Sequence, residues 1–307
     1  MATTIEVQKL HTLTGHRDCI YTLEPSGENH VVFSAGGDGM VAAWNLNDPE
    51  NGELIARVTS SVYALSYVPF RNLLLIGQNN EGLQVIDLQN KAILKSVSLP
   101  KVAIFDIKYS ALLNKVYVAQ GNGGVCILAA DTFELQTITR STDQSARSLA
   151  LNSHTQELAV GYSDNSIRIF DAATMQLKHE LKNHTNSVFT VAYSPEGDLL
   201  ITGGRDAHLR VWEVQQGYKE RGYTIAHMYT INHIAYSPDG RHFATCSMDK
   251  SIKIWDARTF KLLKVIDKVR NASHGTSVNK LFWTAHHNQL VSCSDDRTIS
   301  VWDIKLS

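Results

Sequence analysis

Four times along this 307-residue chain a histidine, a hydroxyl residue, an aspartate and a tryptophan recur at matching offsets. The sets are His16, Ser34, Asp38 and Trp44; His184, Thr202, Asp206 and Trp212; His227, Thr245, Asp249 and Trp255; and His274, Ser292, Asp296 and Trp302. Histidine, hydroxyl and carboxylate are the parts of a hydrolytic triad, in which the imidazole takes the hydroxyl proton and the carboxylate orients the ring. That chemistry needs an exposed nucleophile beside an oxyanion site, and it is normally built once. Four equal copies describe a structural device, and the tryptophan says which one. A hydroxyl can accept from the indole N–H and donate to the imidazole, whose second ring N–H goes to the carboxylate. Such a chain satisfies every polar group it buries. Each net bond contributes about 0.5–1.5 kcal/mol, whereas stranding one buried partner costs about 1–3 kcal/mol. Other catalytic signatures are missing: there is no GxxxxGK, HExxH, CxxC or GxSxG. His286-His287 could begin a metal site but has no third ligand nearby in sequence, so a solvated turn is the reading. No catalytic residue, metal or cofactor is assigned.

The framework that holds these sets is legible as a stride. Trp44, Ile86, Leu128, Phe170, Trp212, Trp255 and Trp302 are separated by 42, 42, 42, 42, 43 and 47 residues. A period of this length is one supersecondary unit copied along the chain. Each anchor ends an alternating apolar and polar run, such as Ser251-Ile-Lys-Ile-Trp255, which is strand patterning. In the second to fourth copies the histidine positions hold Val58, Pro100 and Thr142, and the hydroxyl positions hold Ile76, Val118 and Val160. The network is removed there as a whole, which can be nearly neutral where removing one member is not. Asn80, Asn122 and Asp164 keep the turn position and suit a tight turn.

The chain closely resembles the WD-repeat family. Thr14-Gly-His16 carries its Gly-His element, Trp255-Asp256 and Trp302-Asp303 its Trp-Asp element, and Ser194-Pro-Glu-Gly197 and Ser237-Pro-Asp-Gly240 its inner turn. The resemblance covers about residues 5–304 and implies an all-β fold, a seven-bladed β-propeller of four-stranded antiparallel blades forming a single domain over 1–307. In that layout each repeat begins with the outer strand of the preceding blade. The last blade then lacks a strand, and Ile5–Leu10 should supply it and close the ring. The longer last stride places four extra residues within 264–273, before His274, on the face that holds the turns at Asp38 and Asp296.

A second set recurs five residues after each histidine position: Tyr21, Tyr63, Phe105, Arg147 and Phe189, then Asn232 and Asn279. In WD-repeat proteins this position commonly lines the channel mouth, where peptides dock. Arg205, Met248 and Asp295, each preceding a turn aspartate, join the same face. Large rings could simply plug the channel. Binding anchors, however, favour tyrosine and arginine, whereas inner strands usually carry aliphatic β-branched residues. The aromatic faces suit a lysine or arginine, with Asp295 as its pair; Arg147 and Arg205 suit an acidic group equally well.

Charge is balanced, with 29 basic and 30 acidic residues, which argues against a dedicated nucleic-acid binder. The N-terminus has no apolar signal region and no run is long enough to span a membrane. Cys19, Cys126, Cys246 and Cys293 lie on or beside strand-like text and read as free thiols of a reducing compartment, the cytoplasm. The expected function is a non-catalytic scaffold, monomeric by itself, that binds a protein or peptide at the channel mouth. The alternatives are an assembly platform using blade edges or the opposite face, and a small-molecule enzyme at the mouth.

Overall fold

The computed structural model describes residues 5–306. Its 28 strands form seven four-stranded antiparallel sheets, the blades of a seven-bladed β-propeller. The inner strands of blades one to seven are Ile20–Pro25, Val62–Val68, Ile104–Ser110, Ala146–Asn152, Val188–Tyr193, Ile231–Tyr236 and Val278–Trp283. By compactness the chain divides into two units. Blades two to five lie in Val62–Ile231; blades one, six and seven lie in the described parts of Met1–Ser61 and Asn232–Ser307.

Within the first of these units, the second strand of a blade, such as Leu73–Gln78 or Lys115–Gln120, is buried along nearly its whole length because both faces are covered, whereas an outer strand such as Leu135–Arg140 is largely exposed. In blade three, Val116 and Val118 enter one core with Leu73, Leu75 and Val85 of blade two. Their alternate neighbours Tyr117 and Ala119 enter another with Leu149, Leu158 and Val160 of blade four. The two-residue side-chain period assigns each residue to one core or the other. The six anchors from Trp44 to Trp255 stand one residue before the end of their strand, and every anchor is buried.

In the other unit, Ile5–Leu13 is the outer strand of blade seven, paired antiparallel with Ile299–Leu306. The strand runs three residues past the expected Leu10, and a bulge explains the difference. Lys9 pairs with Trp302 and His11 with Val301, so Leu10 is an extra residue. A bulge flips the side-chain parity of the residues beyond it. Ile5 and Val7 therefore pack with Trp302, Ile304 and residues of blade six. Leu10 and Leu13 pack with Ile20, Val32 and Trp44 of blade one. One strand thus serves two interfaces. The residues of the longer stride form a helical turn, Lys268–Asn271, whose N-cap Asp267 accepts from the Arg270 N–H. The turn ends beside the closing strand, where Lys9 Nζ donates to the Ala272 carbonyl at 3.0 Å.

Candidate functional site

The histidine, hydroxyl and tryptophan of all four sets are buried, and the aspartates are half-buried. In blade one, Trp44 Nε1 donates to Ser34 Oγ at 2.8 Å, Ser34 Oγ meets His16 Nε2 at 2.8 Å, and His16 Nδ1 lies 3.0 Å from Asp38 Oδ2. Blade five repeats this with Trp212 to Thr202 at 3.0 Å, Thr202 to His184 at 2.8 Å and His184 to Asp206 at 2.9 Å. In blade seven the three separations among Trp302, Ser292, His274 and Asp296 are each 2.9 Å. In blade six Trp255 donates to Thr245 at 2.9 Å, His227 is buried, and the Ser251 N–H donates to Asp249. Because an indole only donates, it occupies a hydroxyl lone pair, the hydroxyl proton points to Nε2, and Nδ1–H goes to the carboxylate. Those are also the proton positions of a resting triad. Access separates the two cases: Ser34, Thr202, Thr245 and Ser292 are each 0% exposed, so no substrate reaches the hydroxyl.

Asp38, Asp206 and Asp296 also tie loop to turn. Asp206 accepts from the Thr185 N–H before the inner strand and from the His208 N–H after the turn. Burial alone would raise its carboxyl; the His184 bond and charge, with those two N–H groups, outweigh burial and hold it at about 2. Burial is outweighed likewise at Asp38, by the Arg17 and Met40 N–H groups and then His16. At Asp296 it is outweighed by His274 and Thr298, and the carboxyl lies far below its usual range. In the degenerate copies, Ile76, Ile86, Val118, Leu128, Val160 and Phe170 are buried apolar replacements. Blade four nevertheless rebuilds a polar set of its own. Asp164 accepts from Ser166 and from Arg168 Nη1 at 2.9 Å, and Arg168 also pairs with Glu180 and lies over the Tyr162 ring.

The second phased set has a common cause that periodicity does not reveal. In blade after blade the pairing of inner strand with its neighbour skips one residue. The skips fall between Ile20 and Thr22, Val62 and Ala64, Ile104 and Asp106, Ala146 and Ser148, Val188 and Thr190, and Val278 and Lys280. The skipped residues are Tyr21, Tyr63, Phe105, Arg147, Phe189 and Asn279. Each is a β-bulge residue, and a bulge re-aims a side chain out of the regular pleat. All of them, and Asn232, are half-buried.

Within blades two to five the bulge residues touch one another. Tyr63 and Phe105 have ring centroids 5.8 Å apart. The Arg147 guanidinium sits 4.3 Å from the Phe105 centroid and 5.0 Å from that of Phe189, a cation held between two aromatic faces. Its Nε donates to Ser163 Oγ at 2.8 Å. Among the described residues no carboxylate pairs with Arg147 or with the exposed Arg205. Burial, and then the charge of Arg205, weigh against the Arg147 cation, with Tyr63 acting the other way.

Within blades six, seven and one the same positions join blades by hydrogen bonds. Asn232 Nδ2 donates to Ser277 Oγ at 3.0 Å and to the Val278 carbonyl at 2.8 Å. Asn279 Nδ2 donates to the Ile20 carbonyl at 2.8 Å and to Asp295 Oδ1 at 2.7 Å. Asp295 is thereby engaged by Asn279 through one of its carboxylate oxygens. Met248 is exposed.

Two further phased positions escaped the sequence reading. Three residues after the histidine position, Ser145 Oγ donates to the Gly121 carbonyl, Ser187 Oγ to Ser163 and Cys19 Sγ to Asp295, each reaching the turn of the preceding blade. Six residues after it, Asp106 accepts from the Leu149 N–H, Ser148 from Val191 and His233 from Leu281. The signal was present as small hydrogen-bonding residues in phase, but their types vary too much to read as a motif. His286-His287 gains a neighbour from blade one: the His30 ring lies tilted, 6.0 Å from that of His286, with its Nε2 3.1 Å from Glu28. Among the described residues no three His, Cys, Asp or Glu side chains converge as metal ligands. Cys126, Cys246 and Cys293 are buried and Cys19 is half-buried; all four are free. No helix among the described residues is long and apolar enough to cross a membrane.

The model of the family "WD domain, G-beta repeat" matches residues 7–45, 133–171, 175–213, 219–256 and 266–303, more than half of the chain. The chain belongs to the WD40 repeat family. The match at 133–171 takes in the Phe170 copy, so that blade follows the family pattern although it lacks the histidine, hydroxyl and tryptophan. Relatives include WD repeat-containing protein srw1 of Schizosaccharomyces pombe, 26% identical over 217 residues, 67% of this chain and 38% of that protein. Polyadenylation factor subunit 2 of Candida albicans is 24% identical over 173 residues, 56% of this chain and 31% of that protein. Striatin of Homo sapiens is 22% identical over 238 residues, 70% of this chain and 30% of that protein. The chain thus spans less than half the length of these relatives. Propellers of this family are in general non-catalytic interaction scaffolds.

Proposed function

We propose that this chain is a non-catalytic scaffold that holds a peptide or protein partner at the channel mouth, through the arc of Tyr63, Phe105, Arg147 and Phe189. The observation that carries this reading is the bulge at each of these residues. A side chain serving only as core would sit in the regular pleat with its alternating neighbours. These four are instead lifted from it, rest half-exposed, and contact one another. Rigid aromatics around an arginine are the composition of binding anchors. Relatives named as subunits of a polyadenylation factor and of the anaphase-promoting complex fit a scaffold role. The four free cysteines fit a reducing, cytoplasmic setting. The balanced charge fits a protein partner better than a nucleic acid.

A peptide-display selection against the intact chain tests the proposal. Affinities of the selected peptides and thermal melts are then measured for the natural protein and for Tyr63→Ala/Phe105→Ala. The double variant should bind at least ~30-fold more weakly, about 2 kcal/mol, while melting nearly as before. Lower melting with unchanged affinity would mean that these rings only fill space. One observation favours a second reading, an assembly platform. The outer strand of blade five, Lys219–Ile225, exposes Tyr223 and Ile225 by 64% and 71%. Loss of a partner on Tyr223→Ser/Ile225→Ser, with the arc variant silent, would select it.

A further inference from the structure

We infer that the occupant of this arc presents an oxyanion, the carboxylate or phosphate ester of a peptide side chain, to Arg147 and Arg205. The inference rests on the proposed mouth site and decides the chemistry of its partner. An empty aromatic pair would suit a lysine or arginine from outside. Here the space between Phe105 and Phe189 is filled by the chain's own guanidinium, at 4.3 and 5.0 Å from the two rings. An incoming cation would therefore find the aromatic faces occupied and a fixed positive charge in their place.

The guanidinium is also oriented. Its Nε–H is spent on Ser163 Oγ at 2.8 Å, and the guanidinium lies over the Phe105 and Phe189 rings. The two terminal Nη groups remain, with four donors and no acceptor among the described residues. A planar fork of this kind matches an oxyanion with two parallel hydrogen bonds. Arg205 supplies a second cation from the turn of the next blade, where it precedes Asp206. The neighbouring acids are already committed: Asp206 to His184, and Asp164 to Arg168 and Ser166. Burial first, and then the charge of Arg205, weigh against the Arg147 cation, and an anion between the two arginines relieves both.

The test tracks the Arg147 Nε–H resonance by NMR while the intact chain is titrated with inorganic phosphate. Parallel titrations use Gly-Ser decapeptides carrying one central glutamate, phosphoserine or lysine. Phosphate and both acidic peptides should shift the resonance saturably, and the lysine peptide should not. Arg205→Ala, at an exposed site that leaves the stack intact, should weaken each response at least about tenfold. In Arg147→Gln, monitored through the backbone amides of Ser163 and Phe105, the response should vanish. Arg147→Lys, which keeps charge but loses the fork, should fall between. Equal binding of the lysine and glutamate peptides would overturn the inference, as would phosphate responses unchanged in both Arg205→Ala and Arg147→Gln. Phosphate binding at Arg147 with no displayed peptide retained at the mouth would instead refute the mouth proposal and leave the oxyanion site standing.

Discussion

Replacing His184 by alanine is a direct trial of the buried network, because one substitution strands two neighbours. Asp206, whose side chain is only 3% exposed, loses its ring N–H at 2.9 Å. It keeps the backbone donors of Thr185 and His208. Thr202 Oγ1 loses the acceptor for its proton at 2.8 Å while still accepting from Trp212. A hydrogen bond to a charged group is worth about 1.5–3 kcal/mol, and the missing ring leaves a small cavity at a site that is 3% exposed. The expected loss is about 3 kcal/mol. Thr142 holds the same phase in blade four, half-buried, where its hydroxyl only accepts from the Gln144 N–H at 3.2 Å. Thr142→Ala should cost about 0.5 kcal/mol or less. Denaturant titrations of both variants at neutral pH give the comparison, supported by thermal melts in which 1 kcal/mol corresponds to about 2–4 °C. The pH dependence adds a second signature. A carboxyl depressed from 3.8 to about 2 contributes stability that is complete above the higher value and is lost as pH falls toward the lower. The gap between natural protein and His184→Ala should therefore narrow through that window. Equal shifts for the two variants, or a gap that does not change in acid, would show that the network contributes little.

Two other outcomes rest on the strand register. Removing residues 1–10 takes Ile5, Val7 and Leu10 from two cores. At about 1.5–3 kcal/mol per buried side chain, the loss should be about 4 kcal/mol or more, and a truncated chain that melts like the intact one would refute closure by this strand. Deleting Phe105 should abolish the bulge but leave Ile104 opposite Gln120 and Asp106 opposite Ala119, on the faces they already occupy. It should therefore cost little more stability than Phe105→Ala; a far lower melting temperature for the deletion would contradict that account.

Much of the architecture is local and periodic, and so it was legible as residues in order. The stride locates the third strand of every blade, since each anchor lies within one, and all but Trp302 stand one residue before its end. The four buried networks were readable because all their members are residue types with one hydrogen-bonding sense in such a chain. Indole donates, hydroxyl relays and carboxylate accepts. The closing strand was legible from alternation, although its extent was not, because the bulge at Leu10 reverses parity where a pattern would be broken off.

The candidate site was legible only as a phase. Tyr21, Tyr63, Phe105, Arg147, Phe189, Asn232 and Asn279 share a position in the repeat, and nothing in their types shows that six of them are bulged. The register between two strands belongs to the pair, not to either segment. Chemistry likewise depended on neighbours one stride away. Phe105 and Phe189 flank Arg147 because consecutive blades bring one position of the repeat side by side. The same packing turned Asn232 and Asn279 inward as links between blades, and engaged Asp295 with Asn279. A periodic sequence specifies which residues occupy equivalent places. Whether an equivalent place is filled, paired or left with unspent donors is decided by the side chains of adjacent blades, which meet only in the folded protein.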